Sequence, residues 1–105
     1  MPKVFHPVAR ADEIEPGELK YVEVGDRAIC LANVGGEILA LDNACTHERA
    51  SLSEGTLSGT RLECTVHGGV FDAFSGEPLR YPVVHPVKTY SVEIEDGVIL
   101  VGIRT

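Results

Sequence analysis

Cys45-Thr46-His47 and Cys64-Thr65-Val66-His67, with sixteen residues between them, decide how this chain is read. The pattern is C-x-H followed by C-x-x-H: two thiols and two imidazoles in two short segments. Thiolate with imidazole suits zinc or an iron–sulfur centre. The intervening residues include Leu52, Leu57 and Leu62 with Gly55 and Gly59. They lack the apolar period of the helix on which a C₂H₂ zinc finger presents its histidines. After His67 come Gly68-Gly69, the run Val70-Phe71-Asp72-Ala73-Phe74 and the turn Ser75-Gly76. Each candidate ligand pair is therefore expected at the tip of a β-loop. On the residues alone, a metal cluster and a structural Cys₂His₂ zinc site both remain open.

Working outward, the remainder of the chain reads as strands and tight turns. Lys3 to Arg10 predicts a first strand, placed at an edge by His6-Pro7. An acidic stretch containing Pro16-Gly17 follows, with a short helical turn expected at Ala11–Ile14. Leu19–Val24, Ala28–Val34 and Glu37–Leu41 are separated by Gly25-Asp26 and Gly35-Gly36, which predicts a β-meander. Its expected core residues are Tyr21, Val22, Ile29, Leu31, Ile38 and Leu41. Thr60–Cys64 and Val70–Phe74 are expected strands on either side of the second cysteine–histidine loop. Glu77 to Pro86 holds three prolines and predicts a rigid loop, since proline cannot sit in a central strand or a helix interior. Lys88 to Glu95 alternates polar and apolar, with Tyr90, Val92 and Ile94 expected to face inward. Asp96-Gly97 then turns the chain into Val98–Ile103. The predicted fold class is all-β: an antiparallel β-sandwich carrying a small inserted lobe over about residues 42–87, in one domain spanning 1–105.

A chain of 105 residues supports one small core, which a bound metal centre would reinforce. With 44% hydrophobic residues the composition is that of a globular domain. No apolar run reaches the length of a membrane helix and no signal peptide is recognised, which predicts a soluble cytoplasmic protein. The net charge of −7 disfavours nucleic acid as a partner and suits basic protein surfaces. Cys30, the third cysteine, lies in the apolar run Arg27–Ala32 and is expected to be a buried small hydrophobe. There is no serine–histidine–aspartate set, phosphate loop or dinucleotide fingerprint, so an enzyme is not expected.

The two boxes, with Gly68 after the last histidine, resemble the Rieske family, and the resemblance extends over nearly the whole chain. That family holds a [2Fe–2S] cluster in which one iron takes two Cys and the other two His. The resemblance implies that Cys45 and Cys64 hold the inner iron and that His47 and His67 hold the outer one. It also implies a Rieske-type sandwich, with a proline loop covering the cluster and Pro82 as its contact residue. The chain departs from the high-potential members, which resemble C-T-H-L-G-C and C-P-C-H-G-S-x-Y. Ala50 and Val66 stand where those carry a disulfide, and Gly69 and Phe71 stand where those carry Ser and Tyr hydroxyls. Without O–H donors to the sulfurs, the reduced cluster gains less stabilisation, and a low potential is expected. The sequence is thus similar to the soluble ferredoxins of bacterial ring-hydroxylating dioxygenase systems. The resemblance implies a monomeric one-electron carrier between an NAD(P)H-dependent ferredoxin reductase and a terminal oxygenase. Docking is expected at the outer-iron edge, around His47, His67, Gly68 and Pro82, with Glu48 and Arg49 steering the encounter. The alternatives are a small Rieske subunit of a larger oxidoreductase, resembling the nitrite reductase small subunit, and a zinc-bound interaction module.

Overall fold

The computed structural model describes residues 2–45, 50–65 and 68–104. Ten strands follow in chain order: β1 (Lys3–Arg10), β2 (Leu19–Val24), β3 (Arg27–Val34), β4 (Glu37–Asp42), β5 (Thr56–Ser58), β6 (Arg61–Glu63), β7 (Val70–Asp72), β8 (Pro78–Arg80), β9 (Thr89–Glu95) and β10 (Val98–Arg104). Single 3₁₀ turns occupy Ala11–Glu13 and Leu52–Glu54. Among the described residues, no helix is long and apolar enough to cross a membrane.

The strands form two antiparallel sheets. The larger has the order β1-β10-β9-β4-β3-β2, and the smaller has the order β5-β6-β7-β8. In the ladder, the β2-β3-β4 meander joins the β1-β10-β9 half through the short pairing Ala40↔Tyr90 and Leu41↔Thr89. The sheet curls at this junction until its outer strands β1 and β2 meet. Ile14, Val22, Ile29, Leu31, Ile38 and Ala40 then pack against Ile99, Val101 and Ile103, which makes the sandwich core. The turns match their residues: Gly35 and Gly36 both take positive φ, as do Asp96 and Gly97, the requirement of tight two-residue hairpins.

All four strands of the smaller sheet fall between β4 and β9, so it is an insertion at one end of the larger one. Backbone hydrogen bonds lace this neck together, among them Asp42 N–H to the Lys88 carbonyl at 2.9 Å. β3 is buried on both faces. Ile29 and Leu31 enter the sandwich core, whereas Cys30 enters a second core beneath the inserted lobe. That double burial explains why its sequence reads as a continuous apolar run rather than an alternation.

Four expectations need correction. Tyr21 is 45% exposed rather than core, because β2 is an edge strand and the lobe's buried cluster takes in Cys30 and Leu19 but not Tyr21. Ile94 is 48% exposed, because β4 pairs with β9 no further than Tyr90 and leaves the end of β9 uncovered. β7 stops at Asp72 rather than Phe74, where the Asp72 carboxylate accepts from Phe74 N–H and starts a turn. The proline segment also contributes a strand: β8 begins at Pro78 and pairs with β7 at the edge of the small sheet, where proline is tolerated.

Candidate metal-cluster site

The two cysteines occupy equivalent places in two hairpins. Cys45 N–H donates to the Ala50 carbonyl at 2.9 Å, and Cys64 N–H donates to the Gly69 carbonyl at 2.8 Å. The next pairs outward are Ala44↔Ser51 and Glu63↔Val70. Each cysteine is therefore bonded to a residue five positions further along the chain, the last such pair among the described residues of its hairpin. Local contacts fix both loops. Buried Asn43 donates its N–H to the Ala28 carbonyl, and its side-chain oxygen accepts from Ser53 N–H, which anchors the first hairpin to β3. In the second, Gly68 takes φ +68° and its carbonyl accepts from Arg80 Nη1 at 3.1 Å.

Cys45 is 7% exposed and Cys64 is 1% exposed. Both belong to one buried cluster with Leu41, Leu52, Leu62, Phe71, Val83 and Val87. No disulfide joins any of the cysteines. Two thiols at matched hairpin ends in an apolar cradle suit a thiolate-bound metal centre, since soft ligands and a dry shell favour it. Cys30 also lies in this cluster, but on β3 at the cradle's floor. Burial pushes its thiol up to about 12, so it stays a neutral small hydrophobe.

The proline loop closes over the second hairpin, and the residue that seals it is Val83. The Tyr81–Pro82 peptide is cis, and Pro82 is half-buried, whereas Val83 is 3% exposed. A Cβ built on Gly69 would lie 2.6 Å from Val83 Cγ1, so the valine seats directly on the bare glycine backbone. The sequence carries only an indirect signal for this, a glycine in one loop facing a proline-flanked valine in another. The far side of the proline loop is open: Leu79, Tyr81 and Val84 are 46%, 81% and 61% exposed. The loop returns through a close approach at Gly76, where a Cβ would meet the Val87 carbonyl at 2.1 Å.

Of the residues singled out in the sequence, Cys45, Cys64, Gly68 and Pro82 are brought to this end of the lobe. His47, His67, Glu48 and Arg49 lie outside the described residues. Among the described residues, no three histidine, cysteine or carboxylate side chains gather as a ligand group.

The chain belongs to the Rieske [2Fe-2S] domain family, whose model matches residues 4–91. Its cofactor is accordingly a [2Fe–2S] cluster, and the donor chemistry of Cys45 and Cys64 fits it. The chain is 44% identical over 85 residues to the ferredoxin component of the naphthalene 1,2-dioxygenase/salicylate 5-hydroxylase systems of Ralstonia sp, covering 81% of this chain and 82% of that one. The fold superposes with a TM-score of 0.92 on the Sphingomonas yanoikuyae B1 ferredoxin, at 35% identity over 96% of this chain and 100% of that chain. It matches a chain in the complex of reduced oxygenase and oxidized ferredoxin of carbazole 1,9a-dioxygenase with a TM-score of 0.89. There the identity is 36%, over 95% of this chain and 94% of the other. These relatives are ferredoxin components, which carry electrons, rather than catalytic oxygenases.

Proposed function

We propose that this chain is a monomeric, cytoplasmic carrier forming one Rieske domain over residues 1–105. It takes single electrons from an NAD(P)H-dependent ferredoxin reductase and delivers them to a terminal oxygenase that attacks an aromatic ring. The observation that carries this reading is the near full-length match to ferredoxins of such systems, one of them solved with its oxygenase. When bound, the cluster supplies a one-electron redox centre with no coordination position open to substrate. In this reading Cys45 and Cys64 hold one iron inside the apolar cradle, and His47 and His67 hold the other at the loop tips. Leu52, Leu62, Phe71 and Val83 keep water from the cysteine side, so electrons leave by the histidine edge.

The docking surface in this reading joins the histidine tips, Gly68 and Pro82 to the exposed Leu79, Tyr81 and Val84, with Glu48 and Arg49 at its rim. Such a patch is small, as a shuttle requires, because low-area contacts dissociate quickly. The test is reconstitution: the purified protein with a ferredoxin reductase, NADH and a naphthalene-type terminal oxygenase. Product should form only when all three proteins are present. Tyr81→Ala should slow electron delivery several-fold, as loss of an exposed aromatic anchor does, and leave the visible spectrum unchanged. A reduced holoprotein that the oxygenase fails to reoxidise would refute the proposal.

A further inference from the structure

Four of the nine cationic side chains are far apart in sequence and meet at one place in the fold. Lys3 opens β1, Arg104 closes β10, Lys88 precedes β9 and Arg27 opens β3. Antiparallel pairing puts all four at the end of the large sheet from which the inserted lobe emerges. Lys3, Lys88 and Arg104 line a concavity of about 230 Å³ together with Thr89, Tyr90, Ser91 and Gly102.

The concavity is built rather than incidental. Gly102 has no side chain, which lets the Lys3 stem cross β10; a Cβ there would meet Lys3 Cδ at 2.7 Å. Lys3 Nζ thereby reaches across to donate to Ser91 Oγ at 2.6 Å. Lys88 Nζ sits 5.2 Å from the Tyr90 ring centroid. Tyr90 O–H donates to the Asp42 carboxylate and accepts from Arg27 Nη1. Asp42 is thus turned to the tyrosine. Lys3 and Arg104 face each other directly across the β1–β10 ladder, a like-charge pairing that destabilises a sheet. Among the described residues, no carboxylate comes within ion-pair distance of Lys3, Lys88 or Arg104, although the chain carries sixteen acidic side chains.

We propose that this basic seat receives an acidic segment, a run of Asp or Glu side chains, on the surface of a redox partner. The proposal rests on the carrier function argued above. Charge complementarity is its basis: three cations with no carboxylate partner among the described residues, on a protein of net charge −7, form an attractive site for an acidic partner. Its position at the lobe's root lets a partner touch it and the lobe together, so it would set the orientation in which the loop tips are presented.

The probe is a hexaglutamate peptide, with inorganic phosphate as comparison, titrated into the cluster-loaded full chain at low salt and followed by amide NMR. The peptide should shift Lys3, Ser91, Gly102 and Arg104. The double variant Lys3→Gln/Arg104→Gln should weaken binding about tenfold, whereas Arg10→Gln/Lys20→Gln at the sheet's opposite end should not. The effect should fade between 10 mM and 150 mM salt, as the screening length falls from about 30 Å to about 8 Å. In the reconstituted chain of electron transfer, the same double variant should lower the rate at low salt with an unaltered cluster spectrum. Phosphate binding as tightly as the peptide would overturn the proposal in favour of a small-anion site. Absence of shifts, or shifts indifferent to the double variant, would overturn it outright. Failure of the carrier reading would look different: the holoprotein would bind the peptide yet transfer no electrons.

Discussion

Gly69 and Val83 offer a sharp test of how the proline loop is held over the second hairpin. In Gly69→Ala the new methyl would lie 2.6 Å from Val83 Cγ1 and 3.3 Å from Cγ2, well inside ordinary contact. Overpacking of that kind costs about 1–3 kcal/mol, and here the proline loop must lift to relieve it. Val83→Ala removes both methyl groups from a buried position and costs about 1.6 kcal/mol by area, rather more with the cavity it leaves. The same truncation abolishes the clash, so the two losses should not add. A double-mutant cycle should give a favourable coupling of about 1–2 kcal/mol. The assay is the rate at which the visible absorbance of the cluster bleaches in urea, since unfolding of a cluster protein need not be reversible. Each single variant should bleach faster than the parent, by about tenfold for every 1.4 kcal/mol expressed in the unfolding barrier. The double variant should bleach no faster than the worse single one. Strict additivity would show that Val83 does not bear on Gly69 and that another contact holds the loop down.

Three further outcomes are expected. Alanine at Cys45, His47, Cys64 or His67 should each give colourless protein; a full Rieske EPR spectrum in His47→Ala would overturn that ligand assignment. Cys30→Ala should keep the cluster and lose about 1–2 kcal/mol of stability, the mild end of core truncation, because its thiol is buried and neutral; a colourless variant would show that it contributes to the site. The midpoint potential should lie well below zero and stay flat near neutral pH, and Phe71→Tyr should raise it by tens of millivolts provided the new hydroxyl reaches a sulfur. About 43 mV corresponds to each kcal/mol of differential stabilisation of the reduced state, and a parent midpoint above about +100 mV would contradict the hydrogen-bond argument. Gly69→Ser, the other way to restore a hydroxyl, is blocked by Val83 and would report overpacking instead.

The parts of this molecule that were legible are those in which one local rule decides the outcome. Leu19–Val24 and the turns at Gly25-Asp26, Gly35-Gly36 and Asp96-Gly97 are found where residue type places them, because two-residue hairpins leave the backbone little choice. The position of Cys45 and Cys64 at the ends of hairpins follows from the local sequence in the same way. Tyr21 and Ile94 were misread because alternation marks which face a side chain takes, but not how far the opposing layer reaches. β4 stops pairing with β9 at Tyr90, and the lobe's buried cluster takes in Leu19 but not Tyr21 of the edge strand β2, so equally apolar positions end in water. β5 and β8, of three residues each, carry too few positions for any period to register.

Long-range placement was harder still, and it is where the two least foreseeable features lie. Val83 and Val84 are the same residue side by side, yet one is 3% exposed and the other 61%. What separates them is the absence of a side chain at Gly69, fourteen residues earlier in the chain. Lys3, Arg27, Lys88 and Arg104 likewise look like ordinary surface charges wherever each is read. Only the order β1-β10-β9-β4-β3 gathers them, and only Gly102 lets Lys3 cross to Ser91. A glycine facing a close neighbour is thus the common device in both places, opening a path for a side chain from another strand or loop. Neither can be replaced by alanine without displacing that side chain, although neither needs a positive φ. The constraint at Gly69 and Gly102 is space, set by tertiary packing, and a reading of the chain one segment at a time has no means to see it.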